Sequence, residues 1–344
     1  MFNSVKTIRY MGNKSKLLDF IIPEIQKITD KGDVVCDLMA GTCSIGYALK
    51  ERNTIYTNDV QYYSYIISQA IIVNNKSISS ELAEKMTYSA YQKNMSENIY
   101  KYFQLNYSDT YFSEPQCKEI DSVRFAIDQV QDEGIKALFM LALMSAMSTC
   151  ESTPGHFAQY LNKDHQRLVP IRKMSIYNTF IAKCDDYANL ISSSYSNKAF
   201  NEDANRFMES EDFDAVKCVY IDTPYTAEQY SRFYHVLETI CKYDNPVLEN
   251  NKGLYRNDRF MSEFSQNASV NNAFEKMIKL CAEKKKKIVV SYSNRGLVSV
   301  GELKSIIDKY YKNCEIKTKE YNHSTQGKGN IKIEEVLFIA TEGR

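Results

Sequence analysis

Tryptophan is absent from this chain, and so is any Cys-x-x-Cys pair. The nine cysteines stand apart along 344 residues. An odd count without metal-ligand spacing predicts reduced thiols in a cytosolic protein, not a disulfide framework. His156 and His165 have no acid or cysteine at ligand spacing, so no metal is expected. Neither charge sign is in excess, with 43 Lys and Arg against 43 Asp and Glu. A polyanionic partner must therefore be met by local basic patches, not by an overall field. No apolar run reaches the ~18 residues of a membrane span, so no membrane association is expected. Ala137 to Met147 is strongly apolar but short, and predicts a buried helix. Lys6 and Arg9 are followed by no apolar stretch and cleavage site, so no signal peptide is expected. What is present is 44% hydrophobic and 25% charged, the balance of a globular chain with ample core for one large domain or two.

The chain is organised around Asp222-Thr223-Pro224-Tyr225. The preceding run, Val216 to Ile221, predicts a short buried strand, and Pro224 cannot continue a ladder. The strand end thus carries an acid, a stiff turn and an exposed aromatic at the carboxyl edge of a sheet, where open α/β sheets bind ligands. A carboxylate and a ring on such a turn suit a planar base bearing an amino group. Taken alone, the four residues read rather as a strand end with a surface acid and a turn proline; the rest of the chain reverses that.

Upstream, Val34 to Leu38 predicts a strand that runs into the small-residue turn Met39 to Gly46. Asp37 at its end suits a cationic amine, and Gly41 allows a ligand close to the backbone. This is not the Gly-x-Gly-x-x-Gly pattern of dinucleotide sites. Ile55 to Asp59 is a second short strand ending in an acid, 22 residues beyond Asp37. An acid about 20 residues past the first turn is placed for ribose hydroxyls. Its alternative role is N-cap for a helix over residues 62–73. Arg9 to Lys16 contains a Gly12-Asn13 turn, with Ser15 as a candidate cap and Lys14 facing either solvent or an anionic ligand. Asp203, shortly before the strand at 216, is an acid on the same sheet edge.

Residues 76–197 break the strand–helix alternation and predict a mostly helical insertion, with helices over 78–102 and 119–150 and a loop over 107–114. Lys163, Arg167, Arg172 and Lys173 lie near the loop Thr153 to Phe157, and Arg256 and Arg259 lie in a second polar loop. Basic residues with interleaved aromatics suit a phosphate backbone; a solvated helical face is the alternative. Strands are predicted at 288–293, 315–320 and 335–340, with a Gly-containing loop over 323–330.

Four stretches in this order, Arg9 to Lys14, Asp37 to Gly46, Asn58-Asp59 and Asp222 to Tyr225, resemble the Dam-type class of DNA adenine-N6 methyltransferases. The stretch from Tyr225 through His235 to Glu238, with Ser291-Tyr292-Ser293, is similar to one branch of bacterial modification enzymes. The resemblance covers residues 5–75 and 198–340. It implies an α/β fold with a Rossmann-like sheet: a catalytic domain of residues 1–75 and 198–344, and a helical target-recognition region of 76–197. It implies S-adenosylmethionine as methyl donor and the amino group of a flipped adenine in double-stranded DNA as acceptor. Carried over, Tyr10 and Lys14 lie at the methionine end of the cofactor, Asp37 and Gly41 line it, Asp59 binds its ribose and Asp203 its adenine. Asp222, Thr223, Pro224 and Tyr225 hold the target, with Tyr225 stacking on it. A restriction endonuclease counterpart and a monomer or homodimer are compatible with it. Thr223 departs from the pattern, which usually has proline there. Methylation of the cytosine amino group, methylation of RNA and a non-catalytic protein retaining the fold are the competing readings.

Overall fold

Short apolar runs ending in polar or acidic residues become the strands of one seven-stranded sheet. The computed structural model describes residues 2–162, 164–249, 251–323 and 331–344, with the backbone alone for 321–323 and 331–333. The strands are β1 (Val34–Asp37), β2 (Thr54–Asn58), β3 (Lys198–Phe200), β4 (Cys218–Asp222), β5 (Lys287–Ser293), β6 (Cys314–His323) and β7 (Ile331–Ala340). Their order is β3-β2-β1-β4-β5-β7-β6. β1 to β5 run parallel, and β7 is antiparallel to both β5 and β6. This is a doubly wound α/β sheet, with the expected closing antiparallel pair. Its strand order reverses between β1 and β4, where the crevice outside the strand ends accepts ligands.

Parallel strands covered on both faces should read as near-continuous apolar runs. β4 does: Cys218 to Ile221 are all buried. Two hydrophobic clusters cover the two faces. One contains Leu38, Val219, Val290, Phe274 and Phe338. The other contains Ile21, Val35, Ile71 and Val289 and continues into the helices between β2 and β3 through Phe139, Leu141 and Phe180. The helical region therefore shares its core with one face of the sheet.

Where a single helix over 119–150 is predicted, two occur, Glu114–Asp128 and Glu133–Cys150. Asp132 ends the first run by capping the second, accepting the Ile135 N–H at 3.1 Å. Glu133–Cys150 is apolar and long enough to cross a membrane by length and composition, but its central residues lie in the core. The predicted loop at 107–114 is preceded by a further short helix, Tyr102–Tyr107. Asn13, not Ser15, caps the turn ahead of Leu18–Ile28. Most of the loop predicted at 323–330 lies outside the described residues.

Candidate active site

A cavity of about 530 Å³ opens at the carboxyl ends of β1 and β4. All ten residues named from the sequence as catalytic or cofactor-binding line it: Tyr10, Lys14, Asp37, Gly41, Asp59, Asp203, Asp222, Thr223, Pro224 and Tyr225. The topology brings them together, because each lies at or just beyond a strand end, or on the segment before the first helix.

One wall is built on the turn after β1. Gly41 has φ +52°, and a Cβ there would lie 3.0 Å from the Tyr10 ring. Both restrictions require glycine. The Gly41 N–H donates to Asp59 Oδ2 at 2.9 Å, and the Gln61 N–H donates to Asp59 Oδ1 at 2.8 Å. Ser64 Oγ donates to the Gly41 carbonyl at 2.7 Å. Asp59 thus locks the turn after β1 to the end of β2. It does not cap the helix Tyr62–Ser68. Glu238 does, accepting the Tyr62 and Tyr63 N–H groups at 3.1 and 3.0 Å. Tyr10 stacks on Tyr234 with centroids 4.7 Å apart. Asp203 caps the helix Ala204–Glu209, accepting from Asn205 at 3.0 Å, and still borders the cavity.

Asp37 is buried. Burial and the neighbouring Asp222 charge push its pKa up to about 7, against an opposing hydrogen bond from the Gly46 backbone. A carboxyl in this condition suits a cation brought to it.

The other wall is the turn after β4. Lys14 Nζ lies 2.9 Å from Asp222 Oδ1 and 2.6 Å from the Tyr225 hydroxyl. The structure therefore puts Lys14 beside Asp222, on the side of the cavity expected for the acceptor. Burial alone would lower the Lys14 pKa; Asp222 and Glu335 reverse this and keep the ammonium charged. Burial raises Asp222 while Lys14 opposes the rise. The Asp222 side chain is 19% exposed. Tyr225 is half-buried rather than fully exposed: its ring packs edge-on against Tyr292 with centroids 5.1 Å apart, and its hydroxyl lies 2.8 Å from both Asp222 Oδ1 and Glu335 Oε1. Thr223 is buried, and its hydroxyl has no hydrogen-bond partner among the described residues.

A family model for the D12 class N6 adenine-specific DNA methyltransferases matches residues 10–320. The chain belongs to this family. Modification methylase LlaI of Lactococcus lactis subsp. lactis is 29% identical over 96% of this chain and 54% of its own length. Modification methylase StsI of Streptococcus sanguinis is 28% identical over 88% and 46%, and type II methyltransferase M.FokI of Planomicrobium okeanokoites 30% over 88% and 47%. The chain spans about half the length of these curated relatives.

The basic residues expected on DNA fare differently in this D12-class chain. Lys163 lies outside the described residues. Arg167 and Lys173 are exposed. Arg172 is turned inward, donating to the Asp109 carbonyl at 2.9 Å. Arg256 is 1% exposed and held by both oxygens of Asp244 and of Asp258, so no phosphate reaches it. Its side chain is covered, while its two carboxylate partners are about half exposed. Arg259 pairs with Glu249 at 3.0 Å and lies over the Tyr255 ring. The expected aromatic loop tip, Phe157, is buried, and its carbonyl lies 2.6 Å from the Tyr111 hydroxyl and 2.9 Å from His235 Nε2. Burial pushes the His235 pKa down to about 3, so this imidazole is neutral.

Sequence reasoning missed Glu335, which is fully buried at the start of the apolar run of β7 and touches the Tyr225 hydroxyl at 2.8 Å. The available signal was an acid opening the run Val336 to Ala340. The sequence also gave no role to Ser291 of β5, whose hydroxyl donates to Glu335.

Proposed function

We propose that this chain methylates the exocyclic N6 amino group of adenine in double-stranded DNA, with S-adenosylmethionine as donor, as the modification activity of a restriction–modification system. The observation that carries this reading is the Asp222 carboxylate, held by Lys14 on the cavity wall facing Asp37, Gly41 and Asp59. The cavity falls within the roughly 300–1,000 Å³ of small-molecule sites. Its Asp37, buried with a raised pKa, fits a donor that carries an ammonium group. Asp37 and Gly41 would hold the amino-acid end of the donor, Asp59 its ribose and Asp203 its adenine, and Tyr10 would wall the site. When bound, the donor supplies an electrophilic methyl group on a sulfonium.

The chain's own task is to make a poor nucleophile attack. The adenine amine is weak because its lone pair is delocalised into the ring. Asp222 accepts one of its N–H bonds, and a backbone carbonyl of Thr223 or Pro224 accepts the other. This favours a pyramidal nitrogen with its lone pair free. Asp222 need not remove a proton first: the amine would attack the methyl carbon as its bond to sulfur breaks, leaving a thioether, and the cationic nitrogen would then lose its proton to Asp222 or water. Burial raises the Asp222 pKa, and the Lys14 ammonium 2.9 Å away opposes that rise and favours the carboxylate. The catalysis is positioning and electrostatics. Thr223 leaves this intact, because a backbone carbonyl does not depend on the side chain it belongs to.

Arg167, Lys173 and the helices between β2 and β3 would face the duplex. Sequencing of modified bases in DNA from cells expressing the chain tests the reading. N6-methyladenine in one sequence context is the expected result. N4-methylcytosine, or unmodified DNA with methylated RNA, would overturn it.

A further inference from the structure

Glu335 sits on β7 opposite Ser293 of β5, at the head of the apolar run Val336 to Ala340. A fully buried carboxylate close to a second carboxylate is costly to keep, since both lose hydration and repel each other. Its surroundings give it a function. Oε1 accepts from Ser291 Oγ, lies 2.8 Å from the Tyr225 hydroxyl and 3.6 Å from Lys14 Nζ. Oε2 has no partner among the described residues.

The Tyr225 hydroxyl is the hub of this cluster. It stands 2.6 Å from Lys14 Nζ, 2.8 Å from Asp222 Oδ1 and 2.8 Å from Glu335 Oε1. A phenol has one hydrogen to donate and lone pairs to accept with. Lys14 can only donate, so it fills an accepting position. The single hydroxyl hydrogen then goes either to Asp222 or to Glu335. If it went to Asp222, Oδ1 would carry both the Lys14 ammonium and the Tyr225 hydroxyl, and the carboxylate would be a weaker acceptor for the incoming amine.

We infer that Glu335 is a positioning residue for methyl transfer: it takes the Tyr225 hydroxyl hydrogen, fixes the ring against Tyr292, and leaves Asp222 to accept from Lys14 and from the amine of the target base. Glu335 touches no reactant and acts through Tyr225. This rests on the assignment of Asp222 as the amine acceptor.

The test is a double-mutant cycle in steady-state methyl transfer from S-adenosylmethionine to duplex DNA. Glu335→Gln keeps the shape but can turn its amide N–H toward Tyr225, driving the hydroxyl hydrogen onto Asp222. Its kcat should fall about 10- to 100-fold, the loss of a hydrogen bond to a charged group, with KM for both substrates held within about threefold. In the Tyr225→Phe background the same change should cost little further. The thermal midpoint of Glu335→Gln should equal or exceed that of the parent. A kcat at the parent level, or an equal loss in both backgrounds, overturns the inference. Asp222→Asn separates the two claims. If it is inactive while Glu335→Gln is fully active, only the role of Glu335 falls; if it is active, the underlying assignment falls. A readout independent of turnover is the ¹⁹F resonance of 3-fluorotyrosine placed at position 225. Glu335→Gln should move it, and an unmoved resonance contradicts the inference.

Discussion

Asp37 ties protonation to ligand binding at the scale of a single residue. Its carboxyl titrates near 7 because burial and Asp222 disfavour the charge. The charged form attracts a cationic donor, so donor affinity should rise with pH through about 7 and level off above it. Calorimetric titration from pH 6 to 8 checks this, and Asp37→Asn should bind weakly with a flat profile. The sign for stability is opposite. Between about 4 and 7 the folded state holds a proton that the unfolded chain has released, so stability falls as pH rises across that window. Asp37→Asn should therefore gain on the order of 2 kcal/mol at pH 8, measured by urea unfolding. The identities of Asp37, Asp59, Asp222 and Tyr225 were legible in the sequence because each follows an apolar strand and precedes a turn. The partner of Asp222 was not. Lys14 and Glu335 are 208 and 113 residues from it, and only the sheet order brings the three together.

Turns at strand ends carry the site at the scale of elements. Gly41 shows the constraint most clearly. Gly41→Ala forces a side chain into a left-handed turn and against Tyr10. It should weaken donor binding about tenfold or more while lowering the thermal midpoint by about 2–8 °C, as calorimetry and a melting curve would show. The long strands and amphipathic helices could be read from their periodicity. β3 could not, since its three residues are too short for any period, and it forms only by pairing with β2. The break between Glu114–Asp128 and Glu133–Cys150 was hidden because Val130 continues the helical spacing of Ile120, Val123 and Ile127, although Gln131, Asp132 and Gly134 and the cap at Asp132 mark it. The cap of Tyr62–Ser68, offered as the alternative role of Asp59, is filled instead by Glu238, on a helix 176 residues away.

For the whole molecule, the charge balance means that the proposed DNA substrate must be met by local basic groups. Arg167 and Lys173 are exposed, and Arg256 is internal. Replacing Arg167 and Lys173 together by alanine should lower the salt dependence of DNA binding by about two counterions, seen as a shallower slope of log affinity against log salt. Arg256→Ala should instead destabilise the fold by roughly 1–2 kcal/mol, from the lost packing of its buried side chain and the lost ion pairs, which water partly screens because Asp244 and Asp258 are 42% and 54% exposed. An unchanged salt slope in the first variant would assign DNA contact to another face. The central claim is narrower and concerns Asp222. Its most direct test is single-turnover transfer of labelled methyl from S-adenosylmethionine to adenine in duplex DNA, with donor affinity measured on the same samples. Asp222→Asn should transfer at least about 100-fold more slowly than the parent while binding the donor within about threefold. Transfer at the parent rate by Asp222→Asn would contradict the account.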